Sequence, residues 1–179
     1  MARETVTLTG LDDVLRRLRA LGPEASKRGG PARAAVRKAA VVIQKEAQAN
    51  IRRFVSEPNT GGWPDESTGL MEKSVKPLRA KAPQKYKGET FFVTIPRKVR
   101  YPVTDRTPSG INVSQVARMH EYGLEYTPKS GPLAGRTVKL KRQSWMGSAF
   151  HAKKDEAVTV MTDELVKGIA RLERKLAKS

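Results

Sequence analysis

His120 and His151 are the only imidazoles in a chain that contains no cysteine. A tetrahedral zinc site would therefore have to draw most of its ligands from carboxylates, which structural zinc rarely does. His120-Glu121 begins like the helical His-Glu-x-x-His pattern of zinc hydrolases, but the position that should carry the second histidine is Leu124. The pair reads instead as a partly buried polar pair at a strand edge. Gly131-Pro132-Leu133-Ala134-Gly135-Arg136-Thr137 has the glycines of a phosphate loop without the lysine that reaches phosphate, and no Gly-x-Ser-x-Gly nucleophile elbow occurs. The absence of cysteine also removes a thiol nucleophile and any disulfide framework. The expectation is a protein that is not an enzyme, with no catalytic residues, metal, cofactor or small-molecule substrate.

What the chain has in excess is positive charge. Its formal net charge is +17, a balance that points to nucleic acid, an anionic surface or acidic protein partners. Residues 31 to 54 and residues 128 to 152 each contribute +5, together more than half of it. In the first stretch Arg33, Arg37, Lys38, Arg52 and Arg53 are interleaved with apolar residues at helical spacing and form a candidate anionic-contact helix face. In the second, Arg136, Lys139, Lys141 and Arg142 stand beside Trp145 as a candidate partner interface. Two readings stay open for that group: a nucleic-acid footprint with the indole stacked on a base, or the commoner solvated face of a strand or loop. Trp63, in a polar loop, either packs beneath that loop or anchors a partner.

The elements that must position these residues follow from periodicity. Thr5 to Thr9 alternates Val6 and Leu8 with threonine, as a half-buried strand does, and Leu11, Val14, Leu15 and Leu18 then mark a short amphipathic helix stopped by Gly22-Pro23. Pro31 opens a longer helix with Val36, Ala40, Ile43, Ala47, Ile51 and Phe54 on its core face. Turn formers fill 56 to 69, and Leu70 to Lys81 and Glu89 to Ile95 read as two extended arms of a hairpin. Residues 97 to 114 read as loop with a short strand, and Val116 to Tyr126 as either a strand or a short helix. A final helix is expected from about Lys153, with Ala157, Met161, Leu165, Ile169, Leu172 and Leu176 on one face. The sum is one α+β domain over residues 1–179: a small antiparallel sheet packed by a long central helix and a C-terminal helix, with long extended loops. No apolar run is long enough to span a bilayer and no signal segment opens the chain, so a cytoplasmic origin is expected.

The order of these elements resembles the phage family typified by the gene-ten product of HK-type lambdoid phages, small tail-component or head-to-tail joining proteins. Thr9-Gly10-Leu11-Asp12-Asp13-Val14-Leu15-Arg16-Arg17-Leu18 is similar to its first helix. The basic, alanine-rich segment Ala32 to Ile51, followed by Thr68-Gly69-Leu70-Met71-Glu72-Lys73-Ser74-Val75, is similar to its second helix and the strand after it. Ala117-Arg118-Met119-His120-Glu121-Tyr122-Gly123 resembles its Ala, apolar or aromatic pair, Glu, aromatic, Gly box. Gln143-Ser144-Trp145-Met146-Gly147-Ser148-Ala149-Phe150 resembles its last box, with Ser144 and Gly147 in place of prolines.

The resemblance implies a virion structural protein, assembled in the bacterial host cytoplasm and located in the tail or neck. It would act as a tail completion, tail terminator or neck (connector) subunit in a homo-oligomeric, sixfold ring. Neighbouring neck and tail proteins would be its partners, with packaged DNA as a non-specific contact. Two alternatives are carried alongside: a free basic nucleic-acid-binding protein, and an assembly chaperone that leaves before the particle matures.

Overall fold

The structure, a computed structural model, describes residues 16, 30–55, 69–80, 89–101, 111–129 and 134–178. The expected strand at 5–9, the first helix apart from Arg16, and most of the 56–69 loop lie outside the described residues.

Helix α1 spans Pro31–Val55. Proline suits its first position because its ring presets φ and its missing N–H would have had no helical partner there. Ala35, Ala40, Ala47 and Ile51 are buried, while Val36, Ile43 and Phe54 are half-buried. Beyond a short helix α2 (Leu70–Ser74) come strands β1 (Lys76–Arg79) and β2 (Phe91–Thr94), then helix α3 (Val113–Tyr122), strands β3 (Leu124–Tyr126) and β4 (Val138–Leu140), and helix α4 (Trp145–Leu176). This is the expected α+β architecture.

Two antiparallel helices form its spine. Asn50 Nδ2 donates to the carbonyl of Trp145 at 3.0 Å, Lys38 pairs with Glu164 at 2.7 Å, and Pro31 packs over Gly168, so the end of α1 meets the start of α4 and the reverse. At 1.5 Å per residue, the 32 residues of α4 span about 48 Å. Small side chains let the two axes approach. A Cβ at Gly168 would lie 2.6 Å from Pro31 Cβ, so glycine is required there by space alone.

Among the described residues the strands make two separate ribbons, not one continuous sheet. β1 and β2 pair antiparallel with Pro77 opposite Val93 and Leu78 opposite Phe92. Arg79 clamps the end of this ribbon next to the β1–β2 connection through a bidentate contact with Glu89, at 2.9 and 2.6 Å. β3 and β4 pair antiparallel with Glu125 opposite Lys139, whose side chains also form an ion pair at 3.0 Å. A single bridge joins Arg100 to Asn112, within the stretch expected to hold a short strand.

The main core lies where α2, α3, the β1–β2 ribbon and the start of α4 close over the second half of α1. It contains Ala47, Ile51, Met71, Val75, Ile95, Val113, Ala117, Trp145 and Ala149. A smaller cluster of Ala35, Leu165 and Ile169 joins the other ends of the two long helices.

Three local expectations change. Leu70–Ser74, read as extended, is a helical turn that buries Met71 and Ser74, with Gln48 Nε2 holding the Glu72 carbonyl and Gln44 Nε2 the Val75 carbonyl. The ambiguous 116–126 region divides into the end of α3 and strand β3, with Gly123 at φ 78 making the break. The final helix begins at Trp145 instead of near Lys153, because its first turn is capped from outside its own sequence.

Candidate functional site

That outside cap is Glu121, on the last turn of α3. Its Oε2 accepts the backbone N–H of Met146 at 2.7 Å and its Oε1 that of Gly147 at 3.0 Å. Ser144, at the N-cap position with φ 48, makes no side-chain cap of its own. A carboxylate at this end satisfies orphan N–H donors and faces the positive end of the helix dipole. Gly147 leaves room for it, since a Cβ there would lie 3.3 Å from Glu121 Oε1. At the first residue of the helix, the Trp145 indole Nε1 donates to the carbonyl of Ala117 at 2.9 Å, and just before the helix Gln143 N donates to that of His120 at 2.7 Å. The Ala117–Gly123 box and the Gln143–Phe150 box are therefore a single interlocked unit.

This unit reassigns several residues. Trp145, expected at a partner interface, is only 5 % exposed and its one polar atom is satisfied, so it can neither stack on a base nor anchor a partner. His120 and Glu121, expected at a strand edge, lie on a helix. Glu121 is structural, and the His120 ring packs on Phe54 with centroids 4.9 Å apart. Nδ1 of His120 is buried without a hydrogen-bond partner, and burial lowers the imidazole pKa. His151 sits on α4 against Phe150. Among the described residues no group of three or more His, Asp and Glu is arranged to hold a metal ion.

The basic helix face is partly spoken for. Lys38 is paired with Glu164, whose carboxyl that hydrogen bond holds below the usual range. Arg52 pairs with Glu72 at 2.5 Å, and Arg53 donates to Asn50 Oδ1 at 3.1 Å. These three fasten α1 to the rest of the chain or to itself, whereas Arg33 is half-buried and Arg37 exposed. On the other basic segment Arg136, Lys139, Lys141 and Arg142 are all exposed, along or beside β4. Lys139 is matched by Glu125, and Arg142 reaches Ser144 Oγ at 3.4 Å. Trp63 lies outside the described residues.

Two surfaces were not legible from composition. On the β1–β2 ribbon, Leu78 (37 % exposed) and Phe92 (58 %) are cross-strand partners that both face outward. On α3, Gln115, Arg118, Met119 and Tyr122 follow the spacing of one helical face and line an open cleft of about 870 Å³, together with Arg97, Arg100 and Ile111. Its sequence signal is the spacing of Arg118 and Tyr122, which carries meaning only once 113–122 is helical.

No helix among the described residues is long and apolar enough to cross a membrane. Compared with known proteins, the chain matches no family model, no curated protein and no solved structure.

Proposed function

We propose that this protein is a structural subunit of a tailed-phage virion, forming a homo-oligomeric, sixfold ring at the head-to-tail joint or the head-proximal end of the tail. The observation that carries the reading is the β1–β2 ribbon with Leu78 and Phe92 paired on its outward face. A two-stranded ribbon is marginal by itself, no further strand among the described residues pairs with its outer edges, and an exposed aromatic and leucine side by side are costly in water. A neighbouring subunit that adds a strand or covers that face resolves all three.

The interlocked Glu121–Trp145 unit supports the same reading. Two of the segments through which the chain resembles the phage family, Ala117–Gly123 and Gln143–Phe150, hold each other in place in the fold. The free nucleic-acid-binding alternative is weakened because its proposed stacking residue, Trp145, is in the core.

Mass spectrometry of purified particles from a phage encoding the chain tests the proposal. A ring subunit is expected at a fixed ratio to the portal protein. Its absence from mature particles sinks the proposal and favours a chaperone.

A further inference from the structure

The α3 cleft has a composition that the fold alone does not require. Three guanidinium groups, of Arg97, Arg100 and Arg118, line it, and among the described residues no Asp or Glu does. All three arginines are exposed. Among the described residues the Arg97 and Arg118 side chains have no hydrogen-bond or ion-pair partner, unlike Lys38, Arg52, Arg79, Lys139 and Lys153, each of which is matched by a carboxylate. Glu121, the nearest carboxylate in sequence to Arg118, has both oxygens committed to the start of α4. Between the arginines stand apolar side chains, with Ile111 and Tyr122 exposed to 40 % and 68 %. A smaller cavity of about 290 Å³ adjoins the cleft, sharing Arg97, Arg118 and Tyr122 and reaching the edge of the core at Trp145, Met146 and the committed carboxylate of Glu121.

We propose that this cleft is a docking site for an acidic protein segment in which carboxylates alternate with aliphatic or aromatic residues. A guanidinium holds a carboxylate through two parallel N–H···O bonds, and its unmatched charge inside a concave surface draws an anion toward it. The apolar patches of Ile111, Met119 and Tyr122 then take the intervening side chains.

Nucleic acid suits the cleft less well. Backbone binding uses a row of cations tracking successive phosphates, and single-strand binding uses several aromatic platforms. Here the cations line one concavity, with Tyr122 as the only aromatic among the described residues that line it. The assignment rests on the cleft and not on the virion reading, so either stands if the other fails.

Fluorescence anisotropy with three labelled probes tests the site: a short peptide alternating Glu with Leu, the same peptide with Gln for Glu, and an oligo-dT of similar length. The Glu–Leu peptide is expected to bind the full chain. Binding should weaken about tenfold or more in Arg97→Glu/Arg118→Glu, the size expected for losing charge-assisted hydrogen bonds. It should be little changed in Lys45→Glu/Lys175→Glu, which carries the same charge change on other exposed positions. Circular dichroism confirms that both variants fold.

Three results overturn the proposal: no binding of the Glu–Leu peptide to the wild-type chain, equal loss in the two variants, or equal binding of the Gln peptide. Tighter binding of oligo-dT that is lost in the cleft variant assigns the site to nucleic acid and overturns it as well.

Discussion

Glu121 caps the helix that begins at Trp145, its Oε2 accepting the backbone N–H of Met146, 25 residues further along the chain, at 2.7 Å. The contact joins the end of α3 to the start of α4 and accounts for a helix that starts at a residue with no cap of its own. Replacing Glu121 by Gln removes the charge and turns one of the two acceptors into a donor facing an N–H. The expected loss is about 1–2 kcal/mol, the range for a lost cap, or a fall in melting temperature of about 2–4 °C per kcal/mol for a domain of this size. Glu121→Ala should cost at least as much. Thermal unfolding followed by circular dichroism checks this, and unchanged midpoints in both variants would show that the cap contributes nothing.

Leu78 and Phe92 give a prediction that separates assembly from folding. Both side chains face outward on the ribbon, so Leu78→Lys and Phe92→Lys should change stability by no more than about 0.5 kcal/mol, as surface substitutions usually do. Self-association should nevertheless be lost. Light scattering on a sizing column compares the variants with the wild-type chain; a wild-type oligomer that persists in both variants would exclude this face from the contact.

His120 predicts a pH dependence. Burial disfavours the imidazolium in the folded chain, so the folded pKa lies below the unfolded value of about 6.5. As pH falls below about 6.5 the unfolded chain binds the proton first. Folding stability is therefore full above that pH and declines as pH falls toward the folded value. His120→Gln removes the titration, so urea unfolding between about pH 8 and about pH 5 should show a steeper loss for the wild type than for the variant. Parallel curves would place the imidazole in a more solvated setting than its packing on Phe54 implies.

The long helices were legible because one-dimensional periodicity carries them. Pro31 and the apolar spacing through Phe54 define α1 without reference to any other part of the chain, and Leu165 and Ile169 mark the buried stripe of α4. The β1–β2 hairpin was legible for the same reason, from the run Phe91-Phe92-Val93-Thr94 and the turn formers before it. Net charge and missing cysteine likewise belong to the sequence by itself, and they set the expectation of an assembly protein with no catalytic residues.

Tertiary structure decided what the polar residues do. Glu121 is equally compatible with a metal pair, a strand edge or a helix cap until the start of α4 is brought to it. Trp145 looked available because it follows Lys139, Lys141 and Arg142, yet its indole turns into the core, where burial and a carbonyl acceptor on α3 favour it over water. Arg97 and Arg118 belong to a stretch nearly balanced in charge, and the cleft exists only when α3 and residues 97–101 are brought together. Local spacing determines a helix or strand because the interactions that form it are local. Whether a charge is matched or left facing an open cleft depends on residues far away in sequence, and only the packed chain sets that.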